Sequence, residues 1–544
     1  MRPRRGGIVI PTLVAGVGLA LSLPPWGWWF LAFPSAAIFY RRLEGLPLRS
    51  RILAGWMTGI GCYGIGLFWA EAFNWYGAVV LIALESLALA GAAGMTTPRL
   101  GRLPSFVGAN VLFEALRMSW PFGGLPIGGV FLGQADGPLV VLARIGGPTL
   151  LTAAVWAGGA VLGELATVVV RELRPLLARR ASATLDARAG QPDASRHPGR
   201  PAGISAHWPL PVSIPTLAAL AALIGFTSWA AVAPDGGPPV GHLRVAAVQG
   251  GGRRGTSATE VPPAQVFSAQ LAATAELHRR LATDPPPAGH VALVVWPEDV
   301  IALDRPLAGS GAAATMGAVA KELRATVVAG VTIDTSATTY RNEAVAWAPS
   351  GRIVASYEKV HRVPFGEYVP FRGFFSHLAN LSAVPRDAIP GHGSGLMRTP
   401  AGPLGILVSY EVFFASRGRA ATRAGAEMLV VPTNTSSYAT SQIPTEELAA
   451  DRVQSVAEGR DLVQASPTGY SALVTNGGTI VARTVLGARA ILVGALGLRT
   501  GATVYERVGD LPVLLGAACA LVGGWATGWS TKKRRSASRS MGRA

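Results

Sequence analysis

The sequence predicts a multi-spanning α-helical membrane part of about eight spans, carrying a water-soluble α/β layered domain on its extracytoplasmic side. Three observations predict this. Half of the 544 residues are apolar and only 15% are charged, whereas a soluble protein carries about 25% charged residues. Apolar runs near the roughly 20 residues that a helix needs to cross lipid gather at both ends of the chain. Between residues 234 and 510 no comparable run occurs, and short strand-like runs alternate with amphipathic ones.

The apolar runs lie at 7–24, 27–40, 51–72, 76–97, 103–118, 138–170, 213–233 and 511–530. Residues 1–170 are therefore expected to hold six transmembrane helices, 213–233 a seventh and 511–530 an eighth, with a basic tail at 531–544. The second and fifth runs are short. Charge sets the orientation, because cytoplasmic loops collect Lys and Arg. Arg2, Arg4 and Arg5 precede the first run; Arg41, Arg42, Arg49 and Arg51 flank the second loop; Arg99 and Arg102 lie in the fourth. The sixth loop is packed with Arg, and the tail holds Lys532, Lys533, Arg534 and Arg535. The odd loops are nearly free of positive charge. Both termini are thus expected in the cytoplasm, with 234–510 delivered to the outer face of a bacterial cytoplasmic (inner) membrane.

The same placement accounts for the net charge of +17 and argues against nucleic acid as a partner. The N-terminus has a signal-like charged start and apolar run, but no small-x-small cleavage site, and it runs into Trp26, Trp28 and Trp29 as an interfacial anchor. It is expected to be retained. Residues 171–212, rich in Arg, Ala, Pro and Gly, are expected to form a disordered cytoplasmic linker. The two cysteines, Cys62 and Cys519, fall in apolar runs near opposite ends, which argues against a disulfide framework or zinc site. Glu114 and Arg117, near the outer end of the fifth run, are placed to pair beneath the soluble domain.

The soluble domain opens with a strand at 242–250 and a helix near 264–283. A strand at 290–299, a helix near 311–324 and a strand at 325–333 follow, and the runs 404–411 and 426–434 repeat the plan. Strand–helix alternation of this kind builds layered α/β domains, whose reactive groups gather at strand ends. Glu298 in VVWPED, Lys359 in YEKVHRVPFGEYVPF and Ser409 in LVSYEVFF occupy such ends. Taken singly, each is ordinary: a solvated acid, a surface lysine, a turn serine. GGGRRG (250–255) lacks the strand–turn–helix context of a phosphate loop, and neither a cofactor nor a metal is implied.

Together the residues carry more. WPE, then EK-x-x-x-VPFGEY-x-P, then SYE, then PTN, in this order, resembles the nitrilase superfamily, and VPFGEYVPFR resembles its membrane-bound apolipoprotein N-acyltransferase branch. FEALRMSWPFGGLPIGGVFLGQADGP (113–138) looks like that family's loop between spans five and six, and YERVGD (505–510) looks like its lead into the last span. The resemblance implies an α-β-β-α sandwich over 234–510. It implies Glu298 as general base, Lys359 as oxyanion stabiliser and Ser409 at the position of the acylated cysteine. Glu367, Tyr410 and Glu411 are the implied supporting residues, with Asn434 shaping the loop beside the nucleophile. Asn342 in YRNEAV reads as structural, and His361 as a loop histidine close to Lys359. The implied activity moves an acyl chain from a phospholipid donor to the α-amine of a lipoprotein's N-terminal diacylglyceryl-cysteine.

Two departures from the pattern stand out. A thiol, with a pKa near about 8.5, is partly thiolate at neutral pH, whereas a serine hydroxyl needs a base to take its proton during attack. An oxyester is also a poorer acyl donor to an amine than a thioester. After PTN the family's acidic residue and Trp give way to NTSSYATSQIPTEE, where Tyr438 is the aromatic replacement. On the residues alone a second reading stays open. In it the serine impairs catalysis, and the chain binds lipid or lipoprotein, or scaffolds another membrane enzyme. An amidase acting on soluble substrates fits poorly with so many apolar runs.

Overall fold

The computed structural model describes residues 6–188, 213–252, 261–283, 290–377, 381–382, 384–438 and 441–541. The first part is helical: α1 (Gly6–Leu21), α2 (Ala32–Arg42), α3 (Leu48–Gly66), α4 (Trp75–Met95), α5 (Arg102–Arg117), α6 (Ala143–Arg188) and α7 (Ile214–Val232). Each expected apolar run in it falls on a helix. Among the described residues, three segments are helical, long and apolar enough to cross a membrane: Trp75–Met95, Pro138–Val170 and Ile214–Val232. Gly7–Leu21 and Leu511–Thr527 are shorter apolar helices. The run at 27–40 is only partly helix; α2 has 11 residues, about 16 Å at the α-helical rise.

The helices begin and end where local chemistry allows. Asn74 caps α4 by accepting the Gly77 N–H (2.8 Å), and Ser213 caps α7 ahead of Pro215, satisfying N–H groups that the first turn leaves unpaired. One expectation is corrected. Residues 171–188, read as linker, continue α6, because their Arg, Leu and Ala are strong helix formers. The remaining linker residues, 189–212, and the tail residues 542–544 lie outside the described residues.

Among the described residues the second part contains fourteen strands. One sheet is built from β1 (Gly241–Gln249), β2 (Leu293–Val295), β3 (Ile301–Leu303), β4 (Thr326–Asp334), β5 (Thr339–Trp347), β6 (Ile353–Glu358), β7 (Asp387–Ala388) and, from the far end of the domain, β14 (Ala490–Leu498). The other holds β8 (Leu396–Thr399), β9 (Gly402–Ile406), β10 (Met428–Pro432), β11 (Leu462–Ala465), β12 (Ala472–Val474) and β13 (Ile480–Arg483). The central order of the first is β14-β1-β2-β4-β5-β6, and of the second β13-β12-β11-β10-β9-β8. The strand expected at 290–299 is shorter than read, and the one at 404–411 stops at Ile406.

The helices of this part are α8 (Pro263–Thr283), α9 (Gly311–Leu323), α10 (Arg372–Phe375), α11 (Ala415–Arg423), α12 (Ile443–Glu458), α13 (Val504–Val508) and α14 (Leu511–Met541). Side chains alternate across a strand, and here each face has its own partner. Val245, Ala247, Leu293 and Val295 pack against Leu404, Ile406, Met428 and Val430 between the sheets. Ala246, Val248, Val294 and Trp296 face the other way, onto Ala273 and Leu277 of α8 and Met316 and Ala320 of α9. Leu429 and Val431 pack outward on Leu448, Val453 and Val456 of α12. The result is the expected α-β-β-α sandwich.

The α12 layer is continuous with the core of the helical part, which includes Phe106, Phe131 and Trp156. Polar contacts pin the two parts together. Glu446 accepts the Gly128 N–H (2.8 Å), and Gln442 Nε2 donates to the Gly66 carbonyl (2.7 Å). Tyr505 packs where Gly146 and Gly147 interrupt α6, and its hydroxyl donates to Asp510 (3.0 Å). Arg117 does pair with Glu114, at 2.9 and 2.7 Å, and also reaches Glu85 at 3.2 Å. It donates as well to the Leu125 and Ile127 carbonyls, holding the loop on which the sandwich rests.

Candidate active site

The strand ends of both sheets meet at one buried cluster. Glu298 follows β2 and is 3% exposed, Lys359 follows β6 and is 2% exposed, and Ser409 lies three residues beyond β9 and is 9% exposed. Lys359 Nζ stands 2.8 Å from Glu298 Oε1 and 2.9 Å from Glu367 Oε1. Asn342, on β5, donates its amide to the same two carboxylate oxygens, at 2.8 and 2.9 Å. Glu367 is itself fixed, since its Oε2 accepts the Val363 N–H (2.7 Å). Asn342 thus belongs to the cluster, not merely to the sheet.

Burial pushes the Glu298 carboxyl up to about 8; the Lys359 ammonium opposes this, and Asp299 and Glu367 add to it. Burial also works against the Lys359 charge, but Glu298 and then Glu367 outweigh it and hold the lysine well above its ordinary value. Near neutral pH the Glu298 carboxyl therefore holds a proton while Lys359 stays charged. A positive group and a proton-exchanging carboxyl therefore lie side by side.

Ser409 opens a tight turn, Ser409–Phe413, with φ of +49°. That left-handed conformation is unfavourable for a residue with a side chain, and it persists because the turn is tied down. Glu411, fully buried, accepts the Val408 N–H (2.9 Å), the Tyr357 hydroxyl (2.8 Å) and the Val360 and His361 N–H groups (2.8 and 3.2 Å). One carboxylate thereby fastens the serine turn to the loop that carries Lys359. Tyr410 donates to the Gly124 carbonyl (2.9 Å), tying the same turn to the helical part.

Thr433 completes the connection. Its backbone carbonyl accepts the Glu298 N–H (3.3 Å), and its Oγ1 stands 3.1 Å from Ser409 Oγ. Gly330 on β4 passes directly beneath Glu298, where a Cβ would lie 2.4 Å from the Glu298 Cα. Only glycine permits that approach.

The remaining candidates sit around this cluster. Asn434 hydrogen-bonds Asp299 (3.4 Å) and accepts the Ser436 N–H (3.3 Å), so it shapes the loop. Tyr438 packs its ring on Trp69 and Phe73, with centroids 5.3 and 5.1 Å away, and burial pushes its hydroxyl up to about 12. His361 stacks on Phe414 at 4.2 Å, and burial, helped by Arg417 and Lys359, pushes it down to about 4. Cys62 lies on α3 and Cys519 on α14, both unpaired. Thr433 and Glu447, which approach Ser409 in series, were not singled out from sequence; the hint was the hydroxyl beside Asn434 in PTN.

The α-β-β-α sandwich that brings a glutamate, a lysine and a serine together at its strand ends belongs to the carbon-nitrogen hydrolase class, whose family model residues 244–504 match. Residues 15–161 match the model of the apolipoprotein N-acyltransferase N-terminal domain. The chain is 30% identical over 535 residues to the apolipoprotein N-acyltransferase of Mycolicibacterium smegmatis, covering 91% of this chain and 81% of that protein. It is 32% identical over 244 residues to that of Geobacter metallireducens, covering 44% of this chain and 46% of that protein. A solved structure of Nit3 from Saccharomyces cerevisiae, a member of branch 10 of the nitrilase superfamily, is 18% identical with a TM-score of 0.36 and covers 48% of this chain and 91% of that one. The chain belongs to the apolipoprotein N-acyltransferase family.

Proposed function

We propose that this protein transfers an acyl chain from a phospholipid to the α-amine of a lipoprotein's N-terminal diacylglyceryl-cysteine, through an ester on Ser409. The observation that carries the reading is the meeting of Lys359, Glu298 and Glu367 at 2.8 and 2.9 Å, bridged through Thr433 to a serine held at φ +49°. In the first half-reaction Ser409 Oγ attacks the phospholipid ester carbonyl and gives up its proton along its contact with Thr433. Lys359 stabilises the developing oxyanion, and Glu298 gives a proton to the departing glycerol oxygen. In the second, the lipoprotein amine attacks the acyl-serine ester and loses its proton to Glu298, the carbon–Oγ bond breaks, and Ser409 recovers its proton through the Thr433 contact. Glu367 and Asn342 hold Lys359 and Glu298 in register, and Glu411 and Tyr410 hold the serine turn.

The reading extends to the setting. Eight membrane-crossing segments, cytoplasmic termini and the sandwich on the outer face of the bacterial cytoplasmic membrane are supported by the Arg-rich even loops and by α7. That helix exposes Ile214, Leu217, Ile224, Phe226, Trp229 and Val232, a surface suited to lipid rather than water. The non-catalytic reading gains nothing from the site, whose charged residues are all present and engaged. The test is an adduct: purified protein mixed with phospholipid should gain one acyl chain on Ser409 by peptide mass spectrometry. No adduct on the serine, under conditions that acylate a Ser409→Cys variant, would exclude the ester route.

A further inference from the structure

A serine in place of a thiol needs a proton acceptor in contact with it, and Glu298 is not the group in contact. Its Oε1 is occupied by Lys359 and Asn342. Among the described residues, Ser409 Oγ accepts a hydrogen bond from Thr433 Oγ1, at 3.1 Å. Thr433 Oγ1 in turn stands 2.5 Å from Glu447 Oε1. A threonine hydroxyl carries one proton. That proton serves either Ser409 or Glu447, and Glu447 is the nearer acceptor; with the proton on Glu447, the Thr433 oxygen is left to accept from Ser409 once the serine hydroxyl turns toward it.

We propose that Thr433 and Glu447 form a proton relay that activates Ser409, taking the place of the intrinsic acidity that a thiol would supply. The proposal rests on Ser409 being the acylated residue. Glu447 is buried on α12, and Asp451 one turn further on is buried with neither carboxyl oxygen hydrogen-bonded among the described residues. Two acids at this spacing share one face of a helix and do not both ionise in a dry interior. Burial, and then Glu447, push Asp451 well above its ordinary value. Asp451 keeps its proton, while burial brings Glu447 to about 7, where it can exchange one.

The protons balance. As the Ser409 Oγ–carbon bond forms, the serine proton passes to Thr433 and the threonine proton to Glu447. As the acyl C–O bond to glycerol breaks, Glu298 protonates the leaving oxygen. In the second half-reaction the amine nitrogen bonds to the acyl carbon and gives its proton to Glu298. The carbon–Oγ bond breaks, and Glu447 returns the proton to Ser409 through Thr433. Glu447 does not touch the reacting atoms and acts only through Thr433.

The test compares Glu447→Gln, Thr433→Val and Thr433→Ser in the full-length protein, each in the native Ser409 and the Ser409→Cys background. The readouts are acyl-adduct formation from phospholipid and, independently of any lipid substrate, labelling of Ser409 by an alkyl fluorophosphonate. Glu447→Gln and Thr433→Val should slow both reactions of the serine protein by about 10²-fold, and Thr433→Ser should restore them. The same changes should slow acylation of the Ser409→Cys protein far less than that of the serine protein, because a thiol supplies its own thiolate. Equal slowing of serine and cysteine proteins would assign Glu447 a purely structural role and overturn the relay. Undiminished labelling in Glu447→Gln would overturn it too, as would a native serine that the fluorophosphonate does not label. Loss of phospholipid acylation with relay-dependent labelling intact would instead count against the acyl donor proposed above.

Discussion

The carboxylate of Glu411 accepts the backbone N–H of Val360 at 2.8 Å, joining the residue after Lys359 to the turn opened by Ser409. The two loops come from different sheets. Glu411 thereby helps to set the position of Lys359 relative to Ser409.

Replacing Glu411 with Ala strands the Val408, Val360 and His361 N–H groups and the Tyr357 hydroxyl in a dry interior. Each unsatisfied buried donor costs about 1–3 kcal/mol. Glu411→Ala should lower the thermal unfolding midpoint of the detergent-solubilised protein and abolish acyl transfer. Retention of both would show that the turn holds itself.

Lys359→Met removes the ammonium between Glu298 and Glu367. The loss of oxyanion stabilisation should lower the acylation rate by about 10²–10³-fold. The comparison is the rate of adduct formation on Ser409 at saturating phospholipid.

Gly330→Ala tests how closely Glu298 must be placed. The added Cβ would lie 2.4 Å from the Glu298 Cα and 2.7 Å from the Pro297 carbonyl oxygen, so the WPE segment must move. A displacement of about 1 Å at a reacting group costs up to about 10²-fold in rate. Acyl transfer should fall much more than stability does.

Buried acids on α12 predict the pH dependence of stability. Burial pushes Glu446 and Glu458 up to about 8 and Glu447 up to about 7. Unfolded, each releases its proton near its ordinary value of 4.5. Above that pH the folded chain holds protons that the unfolded chain has lost, so stability falls as pH rises toward about 8. The unfolding midpoint should drop between about pH 5 and about pH 8, and Glu446→Gln with Glu458→Gln should flatten the curve. A midpoint that rises over this interval would contradict the assignment.

The sequence made the layered domain legible because short continuous apolar runs around Val245, Val294 and Val430 alternate with amphipathic helices. Glu298, Lys359, Ser409 and Glu367 were legible through their motifs. What escaped was set by register and packing. Asn342 reaches both carboxylates only because β5 pairs with β4 and β6 in one register. Thr433 and Glu447 approach Ser409 only when α12 folds back over β10. The helix at 171–188 was hidden by Arg and Pro content that resembles linker sequence, although its Ala, Leu and Arg favour a helix.

The most direct measurement is transfer of an acyl chain from phospholipid to a diacylated lipopeptide, followed by mass spectrometry, for the native protein, Ser409→Ala and Ser409→Cys. N-acylated lipopeptide from the native protein and none from Ser409→Ala is the predicted result. Undiminished product from Ser409→Ala, or product from Ser409→Cys alone, would contradict a serine-borne acyl transfer.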